Sequence, residues 1–220
     1  NPGKVFFVNN TSVIAKGGIG GSDSNKGTYQ QPFSTLDYAV GKCTANRGDI
    51  IAIMPGHAET ISDATSLALD VAGIAIVGLG QGGLRPTFTL DTATTATIAV
   101  SAANIAIKNC IFTANFADIA ELFTPSAVSF HCEDLFIKAT AANMNFVSVV
   151  DTGTTDNECD GLSFLQCVWD EPDTATTSFI TADADLGYLE IQDCYFNLGV
   201  NTSDLPIMVT VATGKDLTDL

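Results

Sequence analysis

His57 and Glu59, in the segment Pro55-Gly-His-Ala-Glu59, have the side chains that proton transfer needs. In an extended chain, residues i and i+2 share a face, and an imidazole beside a carboxylate can serve as general acid and base. Directly after a Pro-Gly turn, the same two groups serve equally well as turn residues hydrogen-bonded to the segment before them. Asp170, Glu171 and Asp173 follow Trp169, and carboxylates beside an indole have the composition of a sugar site. Against that, Trp169 occupies a repeat position shared with Phe112 and Phe196, which reads as core. Asp151, Asp156, Glu158, Asp160, Asp183 and Asp185 make acidic connections. Among them Asp183 and Asp185 are the Ca²⁺ candidates, because clustered carboxylates suit that ion. No EF-hand or nonapeptide calcium pattern accompanies them, and solvated loops are the plainer reading. Asp70 and Asp91 read as turn residues, Arg85 as an ion-pair partner and His131 as structural. The six cysteines lack the CxxC spacing of a zinc site, and no cofactor is expected.

The elements that carry these residues repeat. Five segments align: Val71–Leu79, Ala102–Cys110, Cys132–Thr140, Cys159–Cys167 and Leu186–Cys194. Their first ladder position is Ile74, Ile105, Leu135, Leu162 and Leu189. The second is Ile76, Ile107, Ile137, Phe164 and Ile191. Cys110, Cys167 and Cys194 share a later offset, and Phe112, Trp169 and Phe196 follow them. Alternation at period two means strand. Further short apolar runs lie between, at 97–100, 127–130, 146–150, 178–180 and 207–211, so each turn of the repeat holds at least two strands. The long amphipathic helices of helical repeats are absent, and the leucine-rich pattern fits poorly. The expected fold is all-β: a right-handed single-stranded parallel β-helix, or solenoid, with rungs of 27–31 residues. The cysteines on one ladder read as buried free thiols, small hydrophobes pointing inward. Cys132 and Cys159 begin successive repeats and read as possible stacked neighbours. Free thiols suit assembly in a reducing cytosol.

The composition agrees with a stacked interior. The chain is 46% hydrophobic but only 15% charged, with 9 Lys+Arg against 25 Asp+Glu and a net charge of −16. That balance excludes disorder and disfavours nucleic acid and anionic membrane surfaces, which would be repelled. Residues 151–220 hold 14 of the acidic residues and one basic residue, so the acidic excess sits in the last third.

Residues 1–48 do not repeat and are expected to form a strand (Val5–Val8), a Gly-rich loop and a capping helix over Pro32–Val40; residues 49–220 form the body. The order of strand, Gly-rich loop, Pro-Phe-x-Thr-Leu helix, Gly-Asp-x-Ile strand and Pro-Gly-His-x-Glu resembles the N-terminal cap and first rung of pectate-lyase-like right-handed β-helix proteins. Pro55–Glu59, Leu69–Gly73, Val77–Gly80 and Arg85–Phe88 resemble, within that superfamily, β-helix proteins of tailed bacteriophages and prophages. The resemblance implies a non-enzymatic structural protein of the virion surface: a capsid decoration, head fibre or tail appendage, assembled in the host cytoplasm. It also implies a homotrimer that contacts capsid or tail proteins. The alternative it implies is a tailspike-type protein that binds or depolymerises a host-surface polysaccharide, as lyase or hydrolase. Enzymes of this superfamily use Ca²⁺-holding acids with an Arg or Lys base, or paired carboxylates on neighbouring rungs. Repeat bodies need a cover at both ends, so the chain is expected to continue beyond Leu220 or to meet a partner there.

Overall fold

Three strands make each turn of the repeat. The computed structural model describes residues 2–11, 17–141, 143–171, 178–198 and 207–218. The first rung contains β2 (Ile50–Ile53), β3 (Ala58–Ile61) and β4 (Ala68–Leu69), and is preceded by β1 (Val5–Val8) and α1 (Leu36–Val40). The second contains β5 (Ala75–Gly78), β6 (Thr87–Leu90) and β7 (Ile98–Val100). The third contains β8 (Ile105–Lys108), β9 (Ile111–Ala114) and β10 (Ile119–Pro125). The fourth contains β11 (Phe130–Glu133), β12 (Phe136–Ala139) and β13 (Phe146–Asp151). The fifth contains β14 (Ser163–Leu165), β15 (Val168–Glu171) and β16 (Ser178–Ala182). A short β17 (Leu186–Gly187) leads to the sixth, β18 (Glu190–Gln192), β19 (Tyr195–Leu198) and β20 (Ile207–Val211), and β21 (Leu217–Thr218) pairs back on β17. Sheet 1 runs β1-β2-β5-β8-β11-β14-β18, sheet 2 β3-β6-β9-β12-β15-β19, and sheet 3 β4-β7-β10-β13-β16-β20. Every pairing between these strands is parallel, which makes the chain an all-β parallel solenoid of about six turns.

The register corrects the alignment of the fourth rung. Ile105 pairs with Phe130, and Ile107 with Cys132, which in turn pairs with Phe164. Leu135 and Ile137 fall one strand later than their expected ladder positions: Ile137 pairs with Phe112 and Trp169. The inward ladder of sheet 1 is therefore Ile51, Ile76, Ile107, Cys132, Phe164 and Ile191. Cys132 and Cys159 are not equivalent. Cys132 is a strand residue, whereas the Cys159 thiol donates to Pro125 O and Thr152 O in the turn before β14.

Corners, more than strands, carry the repeat. The residue three before the inward ladder of sheet 1 has positive φ in all six rungs: Gly48, Gly73, Asn104, Ser129, Gly161 and Tyr188. A second left-handed set, Asn109, Asp134, Gln166 and Asp193 at φ 53–58°, makes the turn from sheet 1 to sheet 2 in rungs three to six. Asn and Asp tolerate this conformation because their short polar side chains bond locally. Backbone bonds then link corner to corner, as in Gly73 N to Ala103 O (3.0 Å), Ser129 N to Asp160 O (2.7 Å) and Gly161 N to Gly187 O (3.0 Å).

Inside, sheet 2 stacks Phe88, Phe112, Ile137, Trp169 and Phe196. The Phe88 and Phe112 rings lie 5.5 Å apart and nearly parallel, an offset arrangement that adds about 0.5–1.5 kcal/mol to the burial. Helix α1 is shorter than the Pro32–Val40 expected. Phe33 is taken by backbone bonds to Phe7 O and from Asn9 N, which hold it extended. The helix starts after Thr35, whose hydroxyl accepts from Tyr38 N, and buries Leu36, Ala39 and Val40 in the core. β1 pairs with β2, so sheet 1 begins in the non-repeating segment.

Candidate functional site

His57 and Glu59 are brought together, as their spacing predicts. His57 Nε2 lies 3.0 Å from Glu59 Oε2, and His57 Nδ1 accepts from Asn10 N at 3.1 Å. These bonds assign the proton to Nε2, so the imidazole donates to the carboxylate. Glu59 Oε2 also accepts from Leu36 N at the start of α1 (3.0 Å). The His57 side chain has no exposed surface. Nδ1 and the carboxylate thus hold the N-terminal segment onto the first rung while Nε2 orients the carboxylate, a use of the pair that leaves no ring nitrogen for a substrate.

The carboxylates after Trp169 separate. Asp170 points out of sheet 2 and accepts from Asn197 Nδ2 one rung on (2.7 Å). Glu171 points in; it is fully buried and accepts from Phe146 N at the start of β13. Trp169 is core, packed on Phe179 and Phe196. Asp173 lies outside the described residues. Asp183 is exposed in a turn, and Asp185 Oδ1 accepts from Asp216 N (3.0 Å). Among the described residues no group of three or more His, Cys, Asp or Glu is placed to hold a metal ion.

A different region gathers polar groups. The connection from β5 to β6, residues 79–86, is longer than the equivalent corners and includes a 3-10 turn at Gly82–Leu84. Asn109 Nδ2 donates to Gly78 O (2.8 Å) and Gly80 O (3.1 Å), anchoring this connection from the next rung. Arg85 then reaches two rungs along. Its Nη1 donates to Asp134 O (3.0 Å), and its guanidinium lies 5.7 Å from the Phe136 ring, a cation–π contact. Arg85 Nε is buried and has no hydrogen-bond partner among the described residues. Beside it, Lys108 and Glu133, paired across sheet 1, form an ion pair that raises the ammonium pKa and lowers the carboxyl pKa. His131 Nε2 lies 3.8 Å from the other Glu133 oxygen.

Three depressions follow this outward face. One of ≈ 480 Å³ is lined by Arg85, Lys108, Asn109 and Asp134. A second of ≈ 230 Å³ lies between Glu133, Gln166, Gln192 and Asp193. A third of ≈ 580 Å³ is lined by Ser163, Tyr188, Glu190 and Gln192. Glu133, Leu165 and Gln192 are cross-rung partners, so the three lie along one outward column. With rungs about 4.8 Å apart, the path from Val77 to Gln192 is about 19 Å long. Tyr188 is 68% exposed at its far end, in left-handed backbone at φ 54°. A bulky residue there is strained by about 1–3 kcal/mol.

The acid–base candidates His57, Glu59, Asp170 and Glu171 lie elsewhere. Arg85 and His131 were visible but read as structural. Lys108, Asn109, Glu133 and Asp134 were missed, although His131-x-Glu133 has the same i, i+2 spacing as His57-x-Glu59. The misaligned fourth rung concealed that Glu133 faces Lys108.

No family model matches the chain, and no curated protein is similar to it in sequence. Among solved structures, a rhamnogalacturonan lyase superposes with a TM-score of 0.54 at 16% identity, over 99% of this chain and 62% of its own. At that identity the likeness is one of fold. It agrees with the parallel β-solenoid fold, and the chain spans about three fifths of that lyase's length.

Proposed function

We propose that the chain binds a linear polysaccharide along the outward face of sheet 1. The observation that carries this reading is the run of depressions from Arg85 and Lys108 to the exposed, strained Tyr188. A polymer of repeating units suits a surface that repeats every rung. Amide and carboxylate side chains offer bonds to hydroxyls, and a tyrosine ring offers an apolar face with a polar tip. The fold likeness to a lyase named for a polysaccharide supports the same reading. Within it, the chain is a tailspike-type protein of a phage surface that recognises a host glycan as a homotrimer.

Affinity electrophoresis against a panel of bacterial envelope polysaccharides tests this. Retardation by at least one polymer, lost in Arg85→Ala and in Tyr188→Ala, is the expected result. Binding by no polymer, or binding unchanged in both variants, overturns it. An assay for unsaturated sugar ends on the retarding polymer reports whether cleavage accompanies binding.

A second reading, a purely structural protein of the virion surface, draws on the fate of the acid–base candidates. His57, Glu59 and Glu171 are all engaged in holding backbone. Locating the chain on virus particles by antibody labelling, and counting its copies, separates decoration in hundreds from a tail appendage in a few.

A further inference from the structure

Four residues stack at the position just after the sheet 1 to sheet 2 corner: Cys110, Leu135, Cys167 and Cys194. They follow Asn109, Asp134, Gln166 and Asp193 in turn. Leu135 separates Cys110 from Cys167, but nothing separates Cys167 from Cys194. Their backbones are locked together, since Tyr195 N donates to Cys167 O at 2.9 Å. Adjacent parallel strands are about 4.8 Å apart, inside the 4.4–6.8 Å window of Cα separations that a disulfide spans. The two side chains act on each other's titration, and the Cys194 thiol donates to Phe164 O and Gln192 O, both at 3.4 Å.

Their surroundings differ. Cys167 is buried; its thiol donates to Leu165 O (3.4 Å) and lies 3.7 Å from Cys132 O. Cys194 is partly exposed, so a small oxidant reaches it. The Cys167 side chain beside it brings the Cys194 pKa below the ordinary thiol value, while the pKa of Cys167 itself is raised. Burial drives Cys43 up to about 11 and Cys110 and Cys159 up to about 12, and it raises Cys132 as well. Thiolate, not thiol, is the nucleophile, and Cys194 alone of the six is poised to supply it.

We propose that Cys167 and Cys194 are a redox-modification site at which a peroxide forms a reversible disulfide between rungs five and six. The Cys194 thiolate attacks one peroxide oxygen; the O–O bond breaks, and a sulfenic acid and hydroxide result. The Cys167 sulfur then attacks the Cys194 sulfur. The S–S bond forms, the S–O bond breaks, and the hydroxyl leaves as water with the Cys167 proton. Two thiols and one hydrogen peroxide give one disulfide and two waters. A dithiol reverses the bridge. The bond pins the corner between β14–β15 and β18–β19, beside Gln166, Gln192 and Asp193 of the outward face.

The test treats the native protein with a small excess of hydrogen peroxide, then denatures and alkylates it. Two of the six thiols are expected to stop reacting, and the intact mass to fall by two hydrogens. Chymotryptic peptides holding Cys167 and Cys194 are expected to run joined until dithiothreitol parts them. Cys194→Ser is expected to abolish the bridge and Cys43→Ser to leave it intact. Six reactive thiols after treatment, Cys194 carried on to sulfinic acid without a bridge, or a bridge between any other pair overturns the proposal. The peptide map of the unsubstituted chain decides even where Cys194→Ser does not fold.

Discussion

His57 donates through Nε2 to Glu59, and the two residues together grip the non-repeating segment at two points: Asn10 through the imidazole and Leu36 through the carboxylate. A pair with the composition of an acid–base site is in this chain a clamp between the first rung and α1.

Removing one half of the clamp leaves buried partners unsatisfied. His57→Ala and Glu59→Ala are each expected to lower stability by about 1–3 kcal/mol, seen as a lower urea midpoint. Polysaccharide binding by the folded variants is expected to stay unchanged. Lost binding with an unchanged midpoint would reverse the assignment.

Asp49 gives the fold a pH dependence. It is fully buried and accepts from Lys4 N, Thr44 N and Arg47 Nε. Chiefly because of the Arg47 guanidinium, its carboxyl is held far below the usual carboxylate range. Above the ordinary value of about 3.9 the group is charged in both folded and unfolded chains, and its stabilisation is complete. As pH falls below that, the unfolded chain takes up the proton first and stability declines. Urea midpoints measured from pH 6 to pH 2 are expected to fall, and Asp49→Asn to be less stable at pH 6 with a flatter profile.

Trp169 is core, and its Nε1 has no hydrogen-bond partner among the described residues. Trp169→Ala is expected to cost about 3–5 kcal/mol through the cavity it leaves. Trp169→Phe extends the Phe112 and Phe196 column, removes a buried donor, and is expected to cost far less. Denaturant unfolding followed by circular dichroism compares the two.

Tyr188 separates strain from binding. Glycine adopts φ 54° without penalty, so Tyr188→Gly is expected to match or exceed the parent in thermal stability while binding polysaccharide more weakly. A destabilised variant with full binding would contradict both halves.

Gly78 meets the neighbouring rung at close range, because a Cβ there would lie 2.1 Å from Asn109 O. Gly78→Ala is expected to cost about 1–3 kcal/mol and to displace Asn109, which anchors the Arg85 connection. Melting temperature and polysaccharide retardation are expected to fall together.

The solenoid was legible in the sequence because inward residues of parallel strands stay apolar on every turn: Ile74, Ile105, Leu162 and Leu189 line up by spacing alone. The fourth rung was not, because Cys132-Glu-Asp-Leu imitates Cys159-Asp-Gly-Leu although one begins in a strand and the other in a turn. Left-handed corners would have corrected it, since Ser129 stands where Asn104 and Gly161 stand, but a serine does not advertise positive φ. The candidate face was illegible for a related reason. Outward side chains alternate freely, and which of them meet depends on a register that loop lengths of different rungs conceal.

The corner between sheets 1 and 2 also restricts how such a chain can change. From rung three onward it is closed by only two residues, the first of them left-handed, between one strand and the next. A single inserted residue there would invert the pleat that follows, turning Phe112, Ile137 or Trp169 to water and an outward threonine, lysine or aspartate into the core. Between β5 and β6, eight residues already intervene (79–86), and length is free to vary. Evolution, or an engineer grafting a new binding loop, has its licence on the Arg85 side of the rod and a frozen hinge line one rung further along.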